Sequence, residues 1–267
     1  MGDSHPSDDG AGFDTSIANV ARVYDYMLGG KDHFAADRKL GEQLQQAFPE
    51  SAWIARQNRQ FLGRAVRYCA RQGITQFLDL GSGLPTMDNV HDAARRVVPS
   101  AAVVYVDNDP VALAHARALL ATSDGVAAIA GDLREPHKIL ADVGAAGLID
   151  LSQPIVVLLV AVLHFITDDE DPWGIVKVFR DAMPAGSYLI LSHATHDVLP
   201  EESARARNMY RSASSPLATR SREDIAAFFT GLALVEPGLV FTTQWPHPEP
   251  APSHQHPGMY AGVGRKP

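Results

Sequence analysis

From Gln76 onward, short and almost wholly apolar runs alternate with stretches of helical pattern. The runs at 76–80, 102–106, 126–130, 155–160 and 187–192 read as strands, and the stretches at 88–98, 110–122, 136–142 and 172–182 read as helices. A strand that is apolar along its whole length must be covered on both faces. The alternation therefore predicts an α/β chain: a parallel sheet with helices packed on each side. Asp109-Pro110 and Asp171-Pro172 mark helix starts, because Asp caps a helix and Pro tolerates its first turn. Two more helices are expected at 200–213 and 221–229, the latter opened by a Ser221/Asp224 capping box. Strand-like segments at 232–241 and 258–264 close the chain. Between them Pro246, Pro248, Pro250, Pro252 and Pro257 predict an extended surface loop.

The first seventy-odd residues carry no strand pattern. Residues 1–12 are polar and acidic and read as a disordered tail. Ile17, Val20, Ala21, Tyr24, Met27 and Leu28 form a helical stripe, with Thr15 or Ser16 as its expected cap and Gly29-Gly30 as its stop. A second helix is expected from Ala36 to Phe48. A third carries Ile54, Phe61, Leu62, Ala65, Val66 and Cys69 and stops at Gly73. The expected plan is thus a tail at 1–12, a helical extension at 13–73 and an α/β domain at 74–267.

Composition removes several classes of function. A net charge of −8 argues against general nucleic-acid binding. The longest apolar run, Ile155 to Leu163, suits a buried strand and is too short to span a bilayer. Cys69 is the only cysteine, which leaves no disulfide framework and no cysteine-rich zinc site, and makes a reducing cytoplasm the expected location. His193 and His196 have ligand-like spacing, but no convergent carboxylate or Cys joins them, so no metal is expected. His254 and His256 fall in the Pro-rich loop and read as solvated.

In an open parallel sheet, ligands bind beyond the carboxyl ends of the strands where the strand order reverses. The polar motifs fall at such ends. The first strand runs into Asp79-Leu80-Gly81-Ser82-Gly83, the second ends at Asp107-Asn108, and Asp132-Leu133 follows the third. Glycines admit a ligand close to the backbone, the acid after the second strand can accept from ribose hydroxyls, and the acid after the third can meet an adenine amino group. A dinucleotide fingerprint would need a third glycine where Thr86 stands, and Pro85 removes a backbone donor. S-adenosylmethionine has no phosphate to cradle and carries an ammonium group, which suits a nearby acid such as Asp79.

At these residues the chain resembles the class I S-adenosylmethionine-dependent methyltransferases. The resemblance runs from about residue 74 to 264 and includes Val160-Ala161-Val162-Leu163-His164-Phe165. More closely, the chain is similar to an actinobacterial methyltransferase-like family of undefined substrate. The carrying segments are Ala21-Arg22-Val23-Tyr24-Asp25-Tyr26-Met27-Leu28-Gly29-Gly30-Lys31-Asp32, Leu84-Pro85-Thr86-Met87-Asp88-Asn89-Val90-His91, Tyr105-Val106-Asp107-Asn108-Asp109-Pro110 and Leu191-Ser192-His193-Ala194. The resemblance implies a Rossmann-like, doubly wound sheet of seven strands, mostly parallel with an antiparallel last strand. It implies S-adenosylmethionine as cofactor, with Gly81, Ser82 and Gly83 along its methionine part, Asp107 on the ribose and Asn108 beside the adenine. Asp132 and Leu133 would meet the adenine edge, and the Ala161 carbonyl its amino group.

Methyl transfer from a sulfonium is an in-line displacement, so a base is needed only where the acceptor must lose a proton. His164 and His193 follow the fourth and fifth strands and are the candidate bases. Tyr24 fits the apolar stripe, whereas Tyr26, Lys31 and His33 do not, and Gly30 allows a sharp turn. The segment carrying these residues is expected to fold over the cleft as a lid that shapes an acceptor pocket. The expected activity is methyl transfer to a small-molecule acceptor. A cofactor-binding sensor or interaction protein with little catalysis is the alternative from another class, and an NAD-linked oxidoreductase is a weaker third.

Overall fold

The computed structural model describes residues 14–85, 89–120, 124–246 and 257–267. The expected tail, Thr86 and the loop histidines His254 and His256 lie outside the described residues.

Three helices come first: α1 (Val20–Leu28), α2 (Ala35–Ala47) and α3 (Ser51–Arg71). Then β1 (Gln76–Leu80), α4 (Val90–Arg95), β2 (Ala102–Asp107), α5 (Pro110–Leu120), β3 (Val126–Ala130), α6 (Pro136–Ala146), β4 (Val156–Val160), α7 (Pro172–Ala182) and β5 (Tyr188–Ala194) alternate. The chain finishes with α8 (Pro200–Tyr210), α9 (Arg222–Ala227), β6 (Ala233–Leu234), β7 (Val240–Phe241) and β8 (Met259–Arg265). The sheet order is β3-β2-β1-β4-β5-β8-β6, with β7 also paired to β8. Strands β1 to β5 are parallel and β8 runs antiparallel to β5. Seven strands follow one path, as the resemblance implies, and β7 makes eight. The extra strand arises because the expected 232–241 segment is broken by a turn at Pro237-Gly238. Pro237 has no N–H to give a ladder, and Gly238 takes φ +88°, with its N–H closing the turn onto Val235 O at 2.8 Å.

The period of two along each strand sorts the core into two layers. Leu78, Leu80, Val104, Val106, Val157, Leu159, Leu189 and Leu191 face α6, α7 and α9, where Ile139, Phe179 and Phe228 are buried. Phe77, Val103, Tyr105, Val156, Leu158 and Ile190 face α3 and α4, against Phe61, Leu62, Val66 and Trp245. The helix α3 is therefore one of the sheet's own covering helices and shares the core of the α/β region. The other N-terminal helices, α1 and α2, pack with α8 in a separate cluster around Val23, Met27, Leu44 and Tyr210.

The start of α1 differs from the sequence expectation. Its cap is Asn19, whose side chain accepts from the N–H groups of Ala21 and Arg22. Ser16 is instead committed to a local turn, donating to Asp14 Oδ1 at 2.6 Å. Gly29 ends the helix at φ +82°, the left-handed position that favours glycine. α4 is shorter than the expected 88–98, and the chain leaves it through turns at Arg96 to Val98.

One buried cation docks α1 onto the sheet. Arg22 is 3 % exposed. It reaches Asp37 of α2 at 3.0 Å and Asp109, in the turn between β2 and α5, at 3.1 Å. Asp37 also accepts from the N–H groups of Asn19 and Phe34, and Asp109 caps α5 by accepting from Val111 N–H at 2.6 Å. Removing one partner of such a group strands the others without counter-charge. Arg22→Met is expected to cost about 3–5 kcal/mol of folding free energy, read as a lower urea midpoint at unchanged m-value.

Candidate functional site

The strand order reverses between β1 and β4, and the residues just beyond these two strands form one wall of a cleft. Gly81 adopts φ +72°, and a Cβ there would sit 2.2 Å from Val162 Cγ2, so the turns after β1 and β4 touch directly. Gly83 adopts φ +62°, and a Cβ there would meet only Ala21 Cβ, at 3.9 Å. The backbone at Gly83 thus stays open toward the cleft. Its N–H donates to Asp107 Oδ2 at 2.7 Å, and the N–H of Asp109 donates to Asp107 Oδ1 at 2.8 Å. The loop after β1 and the acid after β2 hold each other in place.

Asp79, Gly81, Ser82, Gly83, Asp107, Asn108, Asp132, Leu133 and Ala161 all line this cleft. Burial pushes the Asp79 carboxyl up to about 7; Arg59 opposes that shift and Asp107 adds to it. Burial also raises Asp107, against the N–H groups of Asp109 and Gly83 that favour its ionised form. Asn108 Nδ2 lies 3.4 Å from Asp132 Oδ2, and Asp132 accepts from the Arg134 N–H at 2.9 Å and from its guanidinium at 3.1 Å. Asp79 and Asp107 offer carboxylates to a ligand with sulfonium and ammonium charges, beside Arg59 and Arg134, which line the same cleft. On that test, and on the open backbone at Gly83, the residues fit an S-adenosyl group.

Ala161 sits at φ +57°, a left-handed conformation that costs a non-glycine residue roughly 1–2 kcal/mol. A buried chain of hydrogen bonds holds it there. Its N–H donates to Ser192 Oγ at 3.0 Å, the Ser192 hydroxyl donates to Asn58 Oδ1 at 2.6 Å, and Asn58 Nδ2 donates to Tyr24 Oη at 2.9 Å. The Tyr24 hydroxyl in turn donates to Ala55 O at 3.0 Å. The chain joins α1, α3, β5 and the end of β4.

Of the N-terminal candidates, Tyr24 lines the cleft, together with Ala21 and Asp25 of the same helix. Tyr26, Gly30, Lys31 and His33 are not among its lining residues. The Tyr26 ring lies over Gly41 and meets His33 edge-on at 5.3 Å. His33 Nδ1 is 2.9 Å from Asp25 Oδ2, and Gly30 N–H donates to Asp25 O at 2.9 Å. These residues pin the turn after α1 from behind, and Lys31 is exposed.

The two histidines are not in the cleft. His193 is fully buried; burial and the neighbouring His164 and Arg220 hold its pKa well below the ordinary value. Its Nε2 is 2.7 Å from Arg220 Nη1, which can only donate, so the proton lies on Nδ1 and is given to Ala194 O at 2.7 Å. His164 is also buried, and burial, with Arg220, pushes it down to about 3. It lines a neighbouring, mostly apolar cavity that shares Val20, Tyr24, Ala161 and Phe165 with the cleft. His196 Nδ1 lies 3.1 Å from Thr219 O, and among the described residues no metal-holding cluster of His, Cys, Asp or Glu is found. No helix among the described residues is long and apolar enough to cross a membrane.

Sequence reasoning did not single out Arg22, Asn58, Arg59 or Arg220. For Asn58 a signal existed: it falls on the stripe of Ile54, Phe61 and Leu62, so it is a polar residue at a core position. For Arg22 and Arg220 the partners are remote in sequence, and no local pattern announces their burial.

The family model for S-adenosyl methyltransferases matches residues 6–267. A DUF574 family protein from Streptomyces avermitilis MA-4680 is 38% identical, with a TM-score of 0.90 over 95% of this chain and 99% of that one. A candidate methyltransferase from Thermobifida fusca YX is 41% identical, with a TM-score of 0.89 over 98% and 99% of the two chains. The N-methyltransferase NodS from Bradyrhizobium japonicum WM9, in complex with S-adenosyl-L-homocysteine, shares the fold at 12% identity and a TM-score of 0.51, over 92% of this chain and 99% of that one. No curated protein matches the chain.

The raised Asp79 carboxyl has a stability consequence. Its folded value of about 7 exceeds the ordinary 3.8, so the folded state binds the proton more tightly. Its contribution to stability is then greatest below about pH 4 and is lost as pH rises toward 7, with a slope of at most about 1.4 kcal/mol per pH unit. In the ligand-free protein, Asp79→Asn is expected to flatten the fall in Tm measured by calorimetry between pH 5 and 7.5, taken relative to wild type.

Proposed function

The chain belongs to the S-adenosyl methyltransferase family, and on that footing we propose that it binds S-adenosylmethionine in the cleft beyond β1, β2 and β4 and methylates a small-molecule acceptor. The observation that carries this reading is the meeting of Asp79, Gly83 and Asp107 in one cleft that α1 also lines. When bound, the cofactor supplies a methyl group made electrophilic by positive sulfur. Asp107, already oriented by two backbone N–H groups, would accept from the ribose hydroxyls with its remaining lone pairs. Asn108, Asp132 and Leu133 would bound the adenine, and the Ala161 carbonyl would meet its amino group. Gly81, Ser82 and Gly83 would carry the methionine part, with Asp79 supplying negative charge near its ammonium. Ala21, Tyr24 and Asp25 would act as the lid, excluding water from that end.

His193 would serve as a positioning residue, because both ring nitrogens are occupied within the fold. His164 would not act as a base near neutral pH: its Nδ1 lies 3.3 Å from the Ala194 N–H, which can only donate. Its other nitrogen then carries the proton.

Calorimetric titration tests the reading. S-adenosylmethionine and S-adenosylhomocysteine should bind and NAD should not. Asp107→Ala should weaken both adenosyl ligands roughly 100-fold, as expected for losing two hydrogen bonds to a charged acceptor. Binding of S-adenosylmethionine should release protons at pH 6.5, seen as a buffer-dependent enthalpy, because its positive charge favours ionised Asp79. Tight NAD binding without response to the adenosyl ligands would overturn the assignment. Binding with no methylated product from a broad extract would favour the sensor reading.

A further inference from the structure

The cavity beside the cleft has a composition that selects its occupant. It lies between α1, the α2–α3 junction, α8 and the ends of β4 and β5, with Met27, Leu44, Ile54, Leu199, Leu217 and Met259 among its walls. Among the described residues no Asp, Glu, Lys or Arg lines it. A charged guest would therefore be desolvated without a counter-charge.

The cavity still holds polar atoms, and their state is fixed. Arg220 donates to His193 Nε2, His193 Nδ1–H donates to Ala194 O, and Ala194 N–H donates to His164 Nδ1. The relay leaves His164 neutral with its proton on Nε2, and no partner for that nitrogen is found among the described residues. Tyr210 also lines the cavity, and burial raises its hydroxyl further above the ordinary range, so it too stays a neutral donor. Ser51 Oγ is buried there with no hydrogen-bond partner among the described residues. The other polar side chains are engaged within the protein: Tyr24 with Ala55 O, Ser203 with Thr195 O, Thr195 with the Asp197 N–H, and Thr219 with Arg207.

Resting on the methyltransferase reading above, we propose that this cavity is the acceptor site, and that it takes an uncharged, largely apolar molecule bearing a hydrogen-bond-accepting oxygen. That oxygen pairs with His164 Nε2–H or the Tyr210 hydroxyl. The walls shared with the cleft, Tyr24, Ala161 and Phe165, set the guest beside the cofactor site. Amines that are protonated at neutral pH are disfavoured twice, by the missing carboxylate and by the positive charge of the cofactor.

The test uses the full chain saturated with S-adenosylhomocysteine and fluorescence titration with three probes: 2-acetylnaphthalene, naphthalene and 2-naphthylmethylamine. The expected order of affinity is ketone, then hydrocarbon, then ammonium, with the ketone roughly tenfold or more tighter than the ammonium. His164→Phe combined with Tyr210→Phe, which removes both donors, should bring the ketone down to the level of naphthalene. Leu217→Trp, which fills the cavity from a loop, should abolish binding of all three probes. Both variants should still bind S-adenosylhomocysteine, which reports that they are folded. A tightest-binding ammonium, no ketone binding, or ketone binding unaffected by Leu217→Trp would overturn the proposal while leaving the cofactor reading intact. Loss of S-adenosylhomocysteine binding in the wild type would instead sink the reading on which it rests.

Discussion

The Arg22 guanidinium, held between Asp37 and Asp109, is the contact on which the site's architecture depends. It is a buried cation with two buried anions, and its partners are shared. Asp37 also holds the entry to α1 and the start of α2, while Asp109 caps α5 and sends its own N–H to Asp107. A change in the seating of α1 is therefore felt one hydrogen bond away at the acid after β2. Buried ion clusters of this kind add little net stability over replacement of all their members together by apolar residues, although losing one member alone is costly. Their geometry is directional, and here it fixes where α1 sits.

A second device reaches the same cleft from the opposite wall. The pleat of β5 sends Ser192 toward α3 and His193 toward α9, since successive residues point to opposite faces. Ser192 thereby joins Asn58 and Tyr24 and steadies the left-handed turn at Ala161. His193 joins Arg220, stacks near Phe228 at 5.9 Å and hands a fixed hydrogen-bond polarity on to His164. One strand thus serves two purposes. One side of it builds the backbone at the cleft, and the other sets the protonation of the cavity next door.

Much of the fold was legible in the sequence. The five parallel strands lie within a residue or two of where apolar runs placed them, and α7, opened by Asp171-Pro172, spans Pro172–Ala182 as expected. Strands buried on both faces carry their signature locally, and so do Asp-Pro helix starts. The split of the 232–241 segment falls at Pro237-Gly238, a turn signal inside an otherwise strand-like run. The cap of α1 is Asn19 and not Thr15 or Ser16, because Ser16 and Asn19 are both good cap residues and local pattern does not choose between them. The helix begins at the one beside its first buried turn.

The residues of the cofactor cleft were readable because they sit at strand ends, and a parallel sheet gathers strand ends at one edge whatever the rest of the chain does. The sequence by itself thus determined the sheet, its switch point and the acids that meet there. Tertiary structure decided the rest. It decided that Tyr24 faces the cleft while Tyr26 and His33 pack behind it, that His164 and His193 turn away from it, and that an uncharged cavity opens beside it. Those outcomes depend on which helix faces meet, and on desolvated pairs such as Arg22–Asp109 and Arg220–His193 whose members lie far apart in the chain. A charge becomes a structural constraint only once water is removed from it, and that removal is a property of the packed molecule.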